Sequence, residues 1–265
     1  MTEASAEYGL GCLKDPRDPR DIPINLVLPR LEAPTEIDFT PEMSPVRDQG
    51  GEGTCVGFAA VTGVKEQQEL REHGRLIELS PRFLYARCKL SDGIPAQEGT
   101  YPRVAMKILA STGVCLEKCW PYRPFQDDEP CPEAETQAFP FRIRTYARLG
   151  GVAEMERSLA VNGPFLVGVR VFSCWYDSPD GRIPDPAEDE DELGGHAVCV
   201  VGYSRAGRYF KFKNSWGERW GDLGYGYFSY GYIERYCMDA WSATDVVADP
   251  HLLGLLRERA GKFSG

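Results

Sequence analysis

Residues able to do nucleophilic chemistry stand at three separated places in this chain. Cys55 lies in Gln49-Gly50-Gly51-Glu52-Gly53-Thr54-Cys55-Val56-Gly57-Phe58-Ala59, where a predicted helix begins and an amide side chain stands upstream. A free thiol titrates near pH 8.5, and a helix N-terminus favours its thiolate. Such a thiolate needs a base, and the chain has three histidines, His73, His196 and His251. His73 falls on the helix that Cys55 would start, roughly 27 Å further along at 1.5 Å per residue, too far to share a proton. His251 lies beside Pro250 near the C-terminus, where packing or solvation suits it better. His196 opens an apolar run after Gly194-Gly195, as a ring held at a strand mouth would. Asn214, in Lys213-Asn214-Ser215-Trp216-Gly217, offers an oxygen to orient the imidazole, with Trp216 to screen that bond from water. The Gln49 side-chain amide and the Cys55 backbone N–H would make an oxyanion hole. Together these are the parts for thiolate attack on an acyl group.

The elements predicted around them fall into two kinds. Residues 56–72 read as a long helix stopped by Gly74, and Ser80-Pro81 starts a shorter one. Further helices are predicted over 101–111, ended by Gly113, and over 151–162, closed by Gly163-Pro164. After Pro164 the period changes to that of strands, at 165–171, 197–203, 209–213 and 225–228. Gly207 is expected to turn the second of these back onto the third. The first half is mainly helical and the second largely β, with a boundary near 140–150, so a cleft between them would collect Cys55 from one side and His196 with Asn214 from the other.

Composition narrows the class. The chain has 265 residues, 42% of them hydrophobic and 26% charged, as in an ordinary folded protein. A formal charge of −10 argues against nucleic acid and anionic membrane as partners, and no apolar run approaches bilayer length. The first twenty residues are polar and proline-punctuated, without the apolar stretch of a secretory signal, which points to the cytoplasm. Nine cysteines point the other way, to a secreted or periplasmic setting in which bridges persist. Cysteine spacing does not match a zinc site, Cys115 and Cys119 having no second ligand pair. The chemistry requires no cofactor, and nothing in the sequence sets an oligomeric state.

Three motifs carry a resemblance to the papain family of cysteine peptidases. Gln49-Gly50-x-x-Gly53-x-Cys55 resembles its nucleophile motif, Gly195-His196-Ala197-Val198 its histidine strand, and Lys213-Asn214-Ser215-Trp216-Gly217 its asparagine motif. Trp220-Gly221 and Gly224-Tyr225 extend the likeness, which covers roughly 34–244. The resemblance implies an α+β fold with a helical left domain, a β-rich right domain and an active-site cleft between them. It assigns residues 1–35 to an N-terminal arm, 36–145 to the left domain, 146–248 to the right domain and 249–265 to a tail. It also implies a peptide or protein substrate and an endopeptidase working through an acyl-enzyme. A transferase or ligase using the same thiol, or a catalytically weak peptide-binding protein, are the alternatives.

Further expectations follow from the same likeness. Gly99, Thr100, Tyr101 and Pro102 would pair with an extended substrate. Gly168, Gly195, Ala197 and Trp216 would complete its site, leaving room for a bulky apolar P2 side chain. A Cys88–Cys131 bridge is expected, with Cys174–Cys237 a weaker option. Glu52 replaces a customary structural cysteine and Val56 a customary tryptophan, and Glu52 threatens to perturb the thiolate. The acidic run Asp185 to Glu192 is either a solvated loop or an overhang of the cleft. Residues 1–35 are too few for a helical prodomain; they, or part of them, are expected either to lie across the cleft as a short inhibitory arm, with Cys12 as a tether or an extra thiol, or to form a structural or flexible terminus. The run 252–259 suggests an amphipathic helix.

Overall fold

The computed structural model describes residues 8–28, 32–126 and 128–244. His251 and the C-terminal run over 252–259 lie outside them. The nucleophile helix begins at Cys55 and crosses the molecule in three continuous stretches, α1 (Cys55–Phe58), a π-helical segment (Ala59–Lys65) and α2 (Glu66–His73). Residues 52–69 are all buried, so this helix is interior on every side until its last turn, 70–73, which reaches the surface. Its polar residues are therefore paired. Lys65 meets Glu69 at 2.5 Å, and Glu66 takes Arg47 at 2.5 Å and the Leu79 amide at 2.9 Å. Gly74, with φ of 65°, ends it in the left-handed conformation that suits glycine.

The π-helical segment places Gly63 against Cys199. A Cβ on Gly63 would lie 2.3 Å from that of Cys199, so only glycine lets the helix sit this close to the strand. Widened turns of this kind are often found beside functional sites.

Around the helix stand α3 (Pro81–Lys89), α4 (Pro102–Ser111) and α5 (Ala134–Ala138). Ser80 caps α3 by accepting the Phe83 amide at 3.0 Å. The expected Cys88–Cys131 bridge is not formed. Cys131 pairs with Cys119, while Cys88 is a buried free thiol inside α3. Cys119 lies on the loop that the Cys131 amide already meets, through a bond to the Cys119 carbonyl at 2.9 Å, and is the nearer partner. Cys174 and Cys237 are free thiols too.

The second half wraps one sheet around α6 (Val152–Asn162) and α7 (Tyr230–Tyr236). Its strands are β1 (Glu36–Asp38), β2 (Thr145–Arg148), β3 (Phe165–Phe172), β4 (Arg182–Ile183), β5 (Glu192–Ser204), β6 (Tyr209–Lys213), β7 (Tyr225–Ser229) and β8 (Cys237–Thr244). Spatial order is β2-β8-β3-β5-β6-β7-β4, and β1 adds to β5. Every pairing is antiparallel except β4 with β7. Glu36–Asp38, within the span given to the helical half, thus belongs to the sheet of the other half. The β5–β6 hairpin forms as expected, yet the left-handed residue in its turn is Arg208, with φ of 51°, and not Gly207. Trp175, fully buried, is the centre of an aromatic core that includes Phe212, Trp216, Trp220 and Tyr232.

Candidate active site

Cys55 is the first residue of α1, and His196 lies in β5 opposite Val169 of β3. Both are fully buried. The backbone amide of Ala197, next to His196, is directed at the Cys55 thiol, which brings the two ends of the constellation together. His196 Nε2 lies 2.7 Å from Asn214 Oδ1, as the sequence predicts. A neutral asparagine oxygen can only accept, so Nε2 carries the proton and Nδ1 is the free base. Nδ1 has no partner and is the nitrogen available to a thiol. Trp216 stacks on the imidazole at 4.5 Å and Trp175 meets it edge-on at 6.0 Å, closing the hydrogen bond off from water.

Electrostatics in this state favour a neutral pair. Burial pushes the Cys55 thiol up to about 11 and pushes His196 down to about 4, the Asn214 bond offsetting the latter only in part. The expected stabilisation of a thiolate by the helix terminus is outweighed by the absence of water. The N-terminal arm contributes to this burial, its Gly11 amide being directed at the thiol.

Residues 8–15 run along the cleft and touch most of the positions assigned to substrate. Tyr8 stacks on Trp216 at 4.6 Å. Gln49 Nε2 donates to the Gly9 carbonyl at 3.0 Å and to the Glu52 carbonyl at 2.8 Å, while its Oε1 accepts from Ser215 Oγ at 2.6 Å. The Gly11 amide is directed at the Cys55 thiol. The Cys12 amide donates to the Gly195 carbonyl at 3.0 Å, and the Leu13 amide donates to the Thr100 carbonyl at 3.0 Å. The Thr100 amide in turn donates to the Gly11 carbonyl at 2.9 Å, so the arm pairs with Thr100 in parallel. Cys12 does not tether the arm through a bridge; it is a buried free thiol. Its Sγ fills the space in front of Gly168, 2.5 Å from where a Cβ there would stand, with Pro102 alongside. Gly99 gives close approach to the arm, since its Cβ would lie 2.4 Å from the Gly11 carbonyl oxygen. Tyr101 serves as the N-cap residue of α4.

Residues 33–243 match the papain family of cysteine proteases. The chain belongs to that family. An uncharacterized peptidase C1-like protein of Acanthamoeba polyphaga mimivirus is 30% identical over 77% of this chain and 70% of its own length. Mouse cathepsin K is 30% identical over 72% of this chain, which spans only 58% of that longer protein. Among solved structures, xylellain, a cysteine protease from Xylella fastidiosa, superposes with a TM-score of 0.83. It is 29% identical, over 91% of this chain and 97% of its own. The α+β architecture expected from the sequence is therefore that of the papain family.

Two departures from the family's usual motif are accommodated differently. Val56 is fully buried and simply packs. Glu52, where a structural cysteine is usual, makes a polar cross-link instead. Arg82 of α3 grips it with two bonds, 2.7 Å to Oε1 and 2.6 Å to Oε2, and also donates to the Arg123 carbonyl at 2.6 Å. The Phe125 amide adds a bond at 2.9 Å and Tyr122 one at 3.3 Å. The charge that threatened the thiolate is thus matched by a guanidinium. The acidic run 185–192 is likewise occupied with structure. Glu190 accepts the Ser173 hydroxyl at 2.9 Å and the Ala187 amide at 3.1 Å, and Asp185 pairs with Arg235 at 2.6 Å. Two buried carboxylates beside the cleft, Asp15 of the arm and Asp239 of β8, escaped the sequence reading. β8 itself was not predicted, and an aspartate in a polar arm carries no mark of burial.

Proposed function

We propose that this chain is a cysteine endopeptidase held latent by its own residues 8–15. Cys55 is the nucleophile, His196 the base and then the acid, Asn214 the group that orients it, and Gln49 with the Cys55 amide the oxyanion hole. The observation that carries this reading is the hydrogen bond of 2.7 Å that ties His196 Nε2 to Asn214 and leaves Nδ1 unpartnered. When the arm leaves, water enters, the desolvation of both groups is relieved, and the thiol proton can pass to Nδ1. The thiolate then attacks a peptide carbonyl carbon, whose oxygen takes the position of the Gly9 carbonyl at Gln49 Nε2. His196 gives the proton to the departing amine, and water, deprotonated by His196, releases the acyl-enzyme.

The arm fills the cleft with its Gly11 amide directed at the thiol and its Gly9 carbonyl on Gln49 Nε2. A substrate's P2 side chain would replace Cys12 in the space bounded by Gly168, Pro102 and Ala197, where the absence of side chain at Gly168 leaves room for a bulky apolar group.

A mixed peptide library followed by mass spectrometry tests the reading. Full-length protein, a form in which the arm is displaced by Gly11→Ala, and Cys55→Ala are compared. Hydrolysis should be slow in the first, faster in the second and absent in the third. Products carrying a new amine instead of water would mean a transferase. Peptide binding with no cleavage in either thiol-bearing form would overturn the enzyme.

A further inference from the structure

Three residues beyond Cys12 the arm turns inward and buries Asp15, which is 4% exposed. Its carboxylate accepts Trp241 Nε1–H at 2.7 Å and the Arg103 backbone amide at 3.1 Å, in the first turn of α4. Its own amide donates to Asp239 Oδ2 at 2.7 Å. Asp239 stands opposite Gly168 in the β3–β8 pairing and is 2% exposed. The surrounding charges can be counted. Arg148 of β2 pairs with Asp239, and both Arg148 and Arg103 reach Asp21 of the arm, at 3.2 and 3.0 Å. Lys14 is a third cation, exposed, whose charge acts on Asp239 ahead of that of Arg103; Asp18 of the arm is taken by Arg20 at 2.6 Å, and Tyr146 stands nearby as a neutral phenol. Burial pushes the thiols of Cys12 and Cys237 up, so they too are neutral. Three carboxylates, Asp15, Asp21 and Asp239, thus stand beside two partly exposed guanidiniums and the exposed Lys14, with Asp15 and Asp239 themselves buried.

We propose that Asp15 and Asp239 form a proton-controlled latch for the arm, closed when the pair holds one proton and loosened when both carboxylates are charged. The proposal rests on the arm being the inhibitor, as argued above. A proton on either group spares the burial of one charge and leaves the bonds from Trp241, Arg103 and Arg148 with acceptors. Without it, both groups are buried anions, Asp239 accepting the Asp15 amide and Asp15 accepting Trp241 Nε1–H and the Arg103 amide.

The titration agrees with the geometry. Burial, followed by the Asp239 charge, moves Asp15 from 3.8 up to about 6, and burial also raises Asp239. In a released arm Asp15 is solvated and returns to its ordinary value. Docking therefore takes up a proton between roughly pH 4 and 6. Below that window the arm is held in full; through it, holding weakens by up to tenfold per pH unit; above about 6 the loss is complete, on the order of a hundredfold. Acid seals this enzyme and neutral pH frees it.

Hydrogen exchange on the full chain, carrying Cys55→Ala to prevent self-cleavage, measures docking directly. The probes are the Cys12 and Leu13 amides, whose bonds to Gly195 and Thr100 exist only with the arm in place. Their protection factors, corrected for intrinsic exchange and referenced to core amides of Phe210 and Phe212, should fall about a hundredfold from pH 4 to 7.5. In Asp15→Asn the fall should vanish. If that variant does not dock at any pH, Asp239→Asn decides, with a shallower slope expected there, since burial still raises Asp15. A flat profile in the parent chain, or an undiminished slope in the variant that docks, overturns the latch. A pH-dependent arm whose release leaves hydrolysis unchanged would instead retain the latch and refute the inhibitory role.

Discussion

Glu52 and Asp239 are both buried carboxylates at the walls of the cleft, and they are satisfied in opposite ways. Glu52 has a guanidinium to itself, gripped at two points, and joins the nucleophile loop to α3 and the 122–125 loop. Asp239 shares its guanidinium with Asp21 and accepts the backbone amide of Asp15, a second buried carboxylate brought by the arm. The first arrangement is complete whatever the arm does. The second is complete only with the arm docked and a proton present. The contrast separates what holds the enzyme together from what holds it shut.

Removing Glu52 should have the largest effect on stability. Glu52→Ala leaves Arg82, 7% exposed, without its counter-charge, and breaking a buried pair in this way costs about 3–5 kcal/mol. Urea unfolding should show it, and a loss under 1 kcal/mol would mean that water already reaches the pair. On the other side of the comparison, Gly11→Ala should act on the arm alone. Its Cβ would lie 2.0 Å from the Gly53 carbonyl oxygen, and forcing a side chain into such a place costs about 1–3 kcal/mol. That corresponds to a roughly 5- to 150-fold gain in open enzyme, read as faster alkylation of Cys55, with unfolding of the core unchanged. A matching drop in the unfolding midpoint would show that the arm is part of the core after all. The smallest effect is expected from Ser80→Ala, which removes the cap of the helix carrying Arg82 and should cost about 1 kcal/mol by thermal unfolding while leaving arm exchange as it was.

The chemistry was legible because its residues are rare and locally marked. Three histidines leave few choices, and His196, Asn214 and Cys55 each open or close a patterned element. Helices with glycine stops, such as α4 and α6, were read to within a residue or two, as were β6 and the start of α3. β8 was missed because Cys237-Met238-Asp239 lacks a strand's alternation, and its place between β2 and β3 rests on pairing with residues far away in sequence. The Cys119–Cys131 bridge depends on loop proximity that spacing alone does not encode. The arm's course was anticipated, but the anchor at Asp15 was not: burial of a carboxylate depends on what it meets, and its partners lie between 88 and 226 positions away.

Gly63 has a consequence for motion. The helix that begins with the thiol and the strand that carries the imidazole touch there with no side chain on the helix side, Cys199 seated against bare backbone. A contact of that kind behaves as a keyway: sliding either element would drive the thiol of Cys199 into the neighbouring turn of the helix. The two walls of the cleft are thereby indexed to each other, and access to the nucleophile is left to the one strand of chain that is not, the arm itself.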